Sequence, residues 1–179
     1  MNIFYLHNDP KICASYHNNK HVVKMILEYA QLMSTAHRVL DGTVYESKTK
    51  NNRRIKRWLL DDDRENILWK ASHIQHPSGI WLRSSSENYK WLYRLWLALL
   101  DEYNYRYSKI HSAIRMAKPL EQLPNNIPIA LFTEPALAMP EEYKVYDNSI
   151  LSYKNYYNGA KQHLASWKNR PTPEWFKYA

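Results

Sequence analysis

The stretch from Asp9 to Gly42, DPKICASYHNNKHVVKMILEYAQLMSTAHRVLDG, limits more than any other what this chain can become. Val22, Met25, Ile26, Tyr29, Ala30, Met33, Ala36 and Leu40 recur at helical spacing, which predicts an amphipathic helix with one core-facing side. Its ends carry boundary signals: Asp9 suits an N-cap, Pro10 the first helical position, and Gly42 a left-handed helix end. Asn18 and Asn19 are poor helix formers and mark a bend. Away from the apolar side, His17, His21, Lys24 and Glu28 stack at offsets of four, three and four, with Lys20, Gln31 and Arg38 on the flank. They form a strip ~15 Å long. A solvated helix face seldom collects two imidazoles, so this strip is the first candidate site.

The remaining chain offers helices and no series of strands. Residues 43–54, with SKTKNNRR at their centre, read as an exposed basic loop, and Asp61-Asp62-Asp63 as a helix start. Ser84 and Glu87 have capping-box spacing and open the run Tyr89–Leu100, apolar nearly all round and therefore the central buried helix. Glu102 and Arg106, four apart, are expected to pair. A further helix is expected near His111–Lys118, followed by an extended strap over 124–140, which holds four prolines. Asp147 or Asn148 caps a helix of about twenty residues that Gly159 weakens. The aromatic tail RPTPEWF is expected to dock. The expected fold class is all-α, a single irregular helical domain over residues 1–179.

Lys and Arg outnumber Asp and Glu by 25 to 17, a net charge of +8 that favours nucleic acid or a nucleotide as partner. Fifteen Tyr and seven Trp suit base stacking as well as a core. The lone Cys13 excludes an internal disulfide, fits a reducing compartment and is expected to be a small buried hydrophobe. No stretch is long and apolar enough to span a membrane, and the first residues lack the pattern of a signal peptide, so a cytoplasmic protein is expected. His17 and His21, or His73 and His76 on a turn, could face one zinc. The glutamate of an HExxH motif is missing, however, and Lys20 repels a cation, so no metal or cofactor is expected. The three glycines form no phosphate loop, and no G-x-S-x-G elbow exists.

Anion chemistry fits the strip better. Glu28 is expected to stabilise a developing cation or activate a nucleophile, Lys20 or Lys24 to supply an amine, and His21 to act as acid or base. Phosphate binding is assigned to His17 and Arg38, joined from later elements by His76, Arg83, Arg106, Lys109 and His111. A plain Lys24–Glu28 salt bridge is the competing reading. His37 points to the apolar side and is expected to be buried and hydrogen-bonded.

Two resemblances follow from particular residues. KHVVKMILEYAQLMSTAHR, HPSGIWLRSSSENYKWL, EYNYRYSKIH, AMPEEYK and PEWF resemble a family of small tailed-phage proteins along the whole chain. That resemblance implies the cytoplasm of an infected bacterium and carries no activity with it. Ile3, the Asp9-Pro10 helix start with His17 after it, and Arg170-Pro171-Thr172 with Trp175 are similar to the phage pyrimidine-dimer DNA glycosylase (endonuclease V) family. This second resemblance implies a small basic helical protein with an N-terminal amine nucleophile and a glutamate on its first long helix, for which Glu28 stands here. Because Asn2 is bulky, Met1 is expected to be retained, which assigns an imine to Lys20 or Lys24. The expected function is thus a DNA- or nucleotide-acting enzyme, most concretely a DNA N-glycosylase with or without lyase activity. The alternatives are a non-catalytic nucleotide- or nucleic-acid-binding accessory protein, for example one sequestering a nucleotide signal, and a host-factor interaction protein.

Overall fold

In a computed structural model, which describes residues 1–178, the Asp9–Gly42 stretch is two helices rather than one bent helix. Asp9 accepts the backbone N–H groups of Lys11 and Ile12, and Pro10 opens α1 (Pro10–Tyr16). His17 is extended, and Asn18 caps α2 (Asn19–Asp41) by accepting the N–H of His21. The break is sealed from the far end of the chain: Asn19 N–H donates to the Ser166 carbonyl at 2.8 Å and the Trp167 indole to the Tyr16 carbonyl at 2.9 Å. Gly42 leaves α2 extended (φ −86°) instead of left-handed. What it supplies is room, since a Cβ there would lie 2.6 Å from the Arg38 carbonyl oxygen.

The expected loop at 43–54 is the start of a β-hairpin. β1 (Thr43–Lys48) pairs antiparallel with β2 (Arg54–Leu59), Thr43 opposite Leu59 and Lys48 opposite Arg54. The body is mostly helical, and this two-stranded ribbon corrects the all-α expectation. Val44, Tyr45, Ile55 and Trp58 favour strands, but the cations between them hide the alternation.

Two short helices, α3 (Arg64–Ile67) and α4 (Pro77–Arg83), lead to α5 (Ser86–Tyr107). Ser85 caps α5 in place of Ser84, which closes α4. As expected, α5 is the central helix: Leu92, Leu95, Trp96 and Leu99 are fully buried, and the Trp96 indole donates to the Ile26 carbonyl of α2 at 2.9 Å. A 3-10 turn (Ser112–Met116) and α6 (Ala117–Glu121) follow, then an extended strap that the hydroxyl of Ser85 ties down through the Ala130 and Leu131 carbonyls. α7 (Ser149–Asn158) is shorter than expected. It stops at Gly159, where a Cβ would meet the Tyr143 ring at 2.3 Å. Trp167 and Phe176 dock the tail into the same core as Ile3, Phe4, Tyr5 and Leu6, which thread inward ahead of α1. Among the described residues no helix is long and apolar enough to cross a membrane.

Candidate functional site

The middle of α2 gathers a charged group whose members come from three parts of the chain. Glu28, with 20% of its side chain exposed, holds Lys24 Nζ 3.2 Å from Oε1 and the α-amine of Met1 3.9 Å from Oε2. His76, the N-cap of α4, lies close enough to feel the Met1 amine, His73 and Glu28. Burial lowers its pKa most, the amine and His73 lower it further, and Glu28 opposes them. Its Nδ1 accepts the Ser78 N–H at 3.1 Å. One carboxylate thus lies within 4 Å of two primary amines, with an imidazole near enough to sense its charge.

Buried rings hold the N-terminal segment against α2. The Phe4 N–H donates to Tyr29 Oη at 3.0 Å, and the Phe4 ring stacks on His21 with centroids 4.1 Å apart. The Tyr157 hydroxyl, from α7, donates to His21 Nδ1 at 2.6 Å. His17 donates from Nδ1 to the Cys13 carbonyl at 2.8 Å, while its Nε2 meets Tyr29 Oη at 3.3 Å. Burial lowers the pKa of His17 to about 4 and of His21 to about 3, so both rings are neutral near pH 7. They are therefore not members of a solvated strip. His17 has no access to phosphate, and His21 has neither a proton to give near neutrality nor a free Nδ1 lone pair. Both rings pack against Phe4 in the segment that carries Met1.

Three further assignments change for related reasons. Arg38 is fully buried, and all five guanidinium N–H groups are used, on the carbonyls of Trp58, Glu65, Leu68 and Trp69 and on the Glu65 carboxylate. It has no donor left for phosphate. Arg106 is likewise buried, donating to Glu102 at 2.7 Å, to Asn19 Oδ1 and to the Ser15 carbonyl, a clamp between α5 and the α1–α2 break. His111 caps the Ser112–Met116 turn by accepting the Ala113 N–H. Lys109 is exposed in the loop after α5. Lys20 is exposed too, but eight residues of helix put it ~12 Å from Glu28, outside the cluster.

Arg83 is different. It lies in the last turn of α4, with Nη1 buried and without a hydrogen-bond partner. The guanidinium folds back over Gly79, whose missing Cβ would sit 3.5 Å from Nη1 and 3.6 Å from Leu32 Cδ2. Leu32 is one turn beyond Glu28 on α2, so this cation packs one helical turn along from the cluster. Burial alone lowers its pKa, and no acid offsets that.

Sequence reasoning weighed His73 only as a zinc ligand and set the Met1 amine aside as nucleophile, and it missed the buried set Phe4, Tyr29 and Tyr157. The signals available were the inward-facing run Ile3–Leu6 and the spacing of His73 and His76 ahead of Pro77. Cys13 is buried as expected; its pKa is pushed up to about 12 by burial, which makes it a poor nucleophile. Among the described residues, no group of three or more His, Cys, Asp or Glu is placed to hold a metal ion. A hollow of about 450 Å³ lined by Asp9, Pro10, Lys11, Arg94, Leu97, Ala98 and Asp101 includes none of the cluster. Comparison of the chain with protein-family models, with curated proteins and with solved structures gives no match.

Proposed function

We propose that this protein is a DNA N-glycosylase with lyase capacity, reacting through a primary amine beside Glu28. The observation that carries the reading is one carboxylate with two amines within 4 Å, those of Lys24 and Met1. Arg83, one helical turn further along α2, buries Nη1 without a partner and has no acid beside it, which leaves its remaining N–H groups for a phosphate. In the reaction, the free amine nitrogen bonds to C1′ of the deoxyribose while the C1′–N bond to the base breaks. The electron pair leaves with the base, which takes up a proton. Glu28 stabilises the oxocarbenium-like sugar and accepts the proton the amine gives up, and opening of the sugar ring yields the imine. The resemblance to phage pyrimidine-dimer glycosylases implies this pairing of an N-terminal amine with a glutamate on the first long helix.

The imine was expected on Lys20 or Lys24. Distance removes Lys20, and the geometry favours Met1 over Lys24. The Lys24 side chain is 65% exposed and bound to Glu28 as an ordinary i,i+4 pair, whereas Met1 is 9% exposed and held by the Phe4 segment.

Borohydride trapping on duplex DNA containing a pyrimidine dimer or an abasic site tests the reading. A covalent adduct is expected, mapping to the Met1 peptide of a chain whose intact mass shows a free amino terminus. Glu28→Gln should slow trapping at least ~100-fold. An adduct at Lys24 moves the nucleophile within the same site. Absence of any adduct, with a thermal shift by DNA or a nucleotide that is recovered intact, would replace the enzyme by a binding protein.

A further inference from the structure

We propose that the ribbon Thr43–Leu59 is an arm that grips duplex DNA on one side of the Glu28 cluster. The inference rests on the DNA-acting reading above and adds to it a second contact surface. The ribbon carries six cations and one acid, Glu46. Lys48, Lys50, Arg53, Arg54 and Lys56 are exposed, and among the described residues none of them makes an ion pair. Lys48 stands directly opposite Arg54 in the register. Like charges facing each other across two strands destabilise a hairpin, so this arrangement calls for an anion to offset it. Even Glu46, opposite Lys56, forms no salt bridge.

Placement supports the same partner. The sixth cation, Arg57, donates to the Ala71 carbonyl and roots the ribbon on the segment 69–76. That segment runs along α2 from Arg38, which meets the Trp69 carbonyl, past Thr35, which meets Ser72, to His76, which senses the charge of Glu28. The root of the ribbon and the cluster therefore lie on one flank of α2. Fourteen residues separate Glu28 from Gly42, ~21 Å of helix. That is about six base-pair steps of B-form DNA, so a duplex engaged at Glu28 extends past the ribbon. A two-stranded ribbon fits the B-form major groove, and the deep, narrow major groove of duplex RNA excludes it. Nothing apolar lies between Thr49 and Arg53 at the tip, as insertion into a lipid surface would need.

The test uses the full chain and unmodified duplex DNA, with binding measured over a range of salt. Replacing Lys50, Arg53, Arg54 and Lys56 by Ser should weaken binding at least ~10-fold and flatten the plot of log K against log salt by ~3–4, or ~0.9 for each lost phosphate contact. Lys50→Glu, a single change in the turn, provides the same readout should the fourfold variant unfold; a slope lowered by about one is expected. Arg53→Lys with Arg54→Lys should keep the slope. An unchanged slope in the Ser and Glu variants, or an equal loss on duplex RNA, overturns the proposal. Ribbon-dependent binding without any borohydride adduct leaves the arm standing and removes the glycosylase reading. Trapping that survives at saturating DNA in the Ser variant supports both.

Discussion

Two polar clusters sit on α2 and resemble each other in composition. At the C-terminal end, Arg38 spends every N–H on four carbonyls and Glu65, while Asp41 accepts Arg64 and the backbone N–H groups of Asn125 and Asn126. In the middle, Glu28 faces two amines, and Arg83 has a buried nitrogen with no acceptor. Both clusters hold an arginine against a carboxylate-bearing helix, yet one is closed and the other has hydrogen-bonding capacity to spare. A closed cluster fixes hairpin, strap and helix to one another. The open one is tied down by no comparable network, which is the feature the proposed reaction draws on.

The largest expected effect strikes the supports of both clusters at once. His17, His21 and His37 are buried and neutral, with pKa values lowered to about 4, 3 and 4, chiefly by desolvation. Below ~6.5 the unfolded chain binds protons on these rings that the folded chain refuses, so stability is present above that pH and is lost as pH falls toward the folded values. Each histidine contributes up to ~1.4 kcal/mol per pH unit, on the order of 4 kcal/mol per unit together. Urea unfolding at pH 7 and pH 5.5 measures this, and equal midpoints would show that the rings are already charged in the fold.

Next in size, Arg38→Ala should cost ~3–5 kcal/mol, because it leaves the Trp58, Glu65, Leu68 and Trp69 carbonyls without their buried donor, while Glu65 keeps Lys70 and the Leu60 N–H. Trapping per folded molecule should stay the same. If the variant is as stable as the parent but binds DNA poorly, the two clusters have been assigned the wrong way round. Smallest, Arg83→Gln should leave the melting temperature within a few degrees while lowering kcat/KM ~10-fold, the loss of one phosphate contact. A marked loss of stability with unchanged kcat/KM would make Arg83 a packing residue.

The sequence carried the body of this fold in its periodicity: α2 and the encircled apolar run of α5 both stand where spacing placed them. The Asn18 break was harder, because the same residue type that bends a helix also caps one. The ribbon was masked by its cations. At the site, spacing placed Glu28 and Lys24 side by side correctly. It could not separate His21 from a surface histidine, since the ring that stacks on it comes from Phe4 and its hydrogen-bond donor from Tyr157, 136 residues away. Arg38 and Arg83 looked alike for the same reason. What distinguishes a saturated guanidinium from an unpaired one is the set of carbonyls brought to it by other segments.

The seam where α1 meets α2 is closed by residues near the far end of the chain. Asn19 alone contacts Ser166, Lys168 and Arg106. During synthesis, the amino-terminal segment and Glu28 leave the ribosome long before Ser166 and Trp167 exist to lock the hinge beneath them. The segment that bears Glu28 is translated before the residues that close the seam beneath it. Closing that seam joins residues 147 apart in sequence, and contacts of such long range raise the contact order that slows folding.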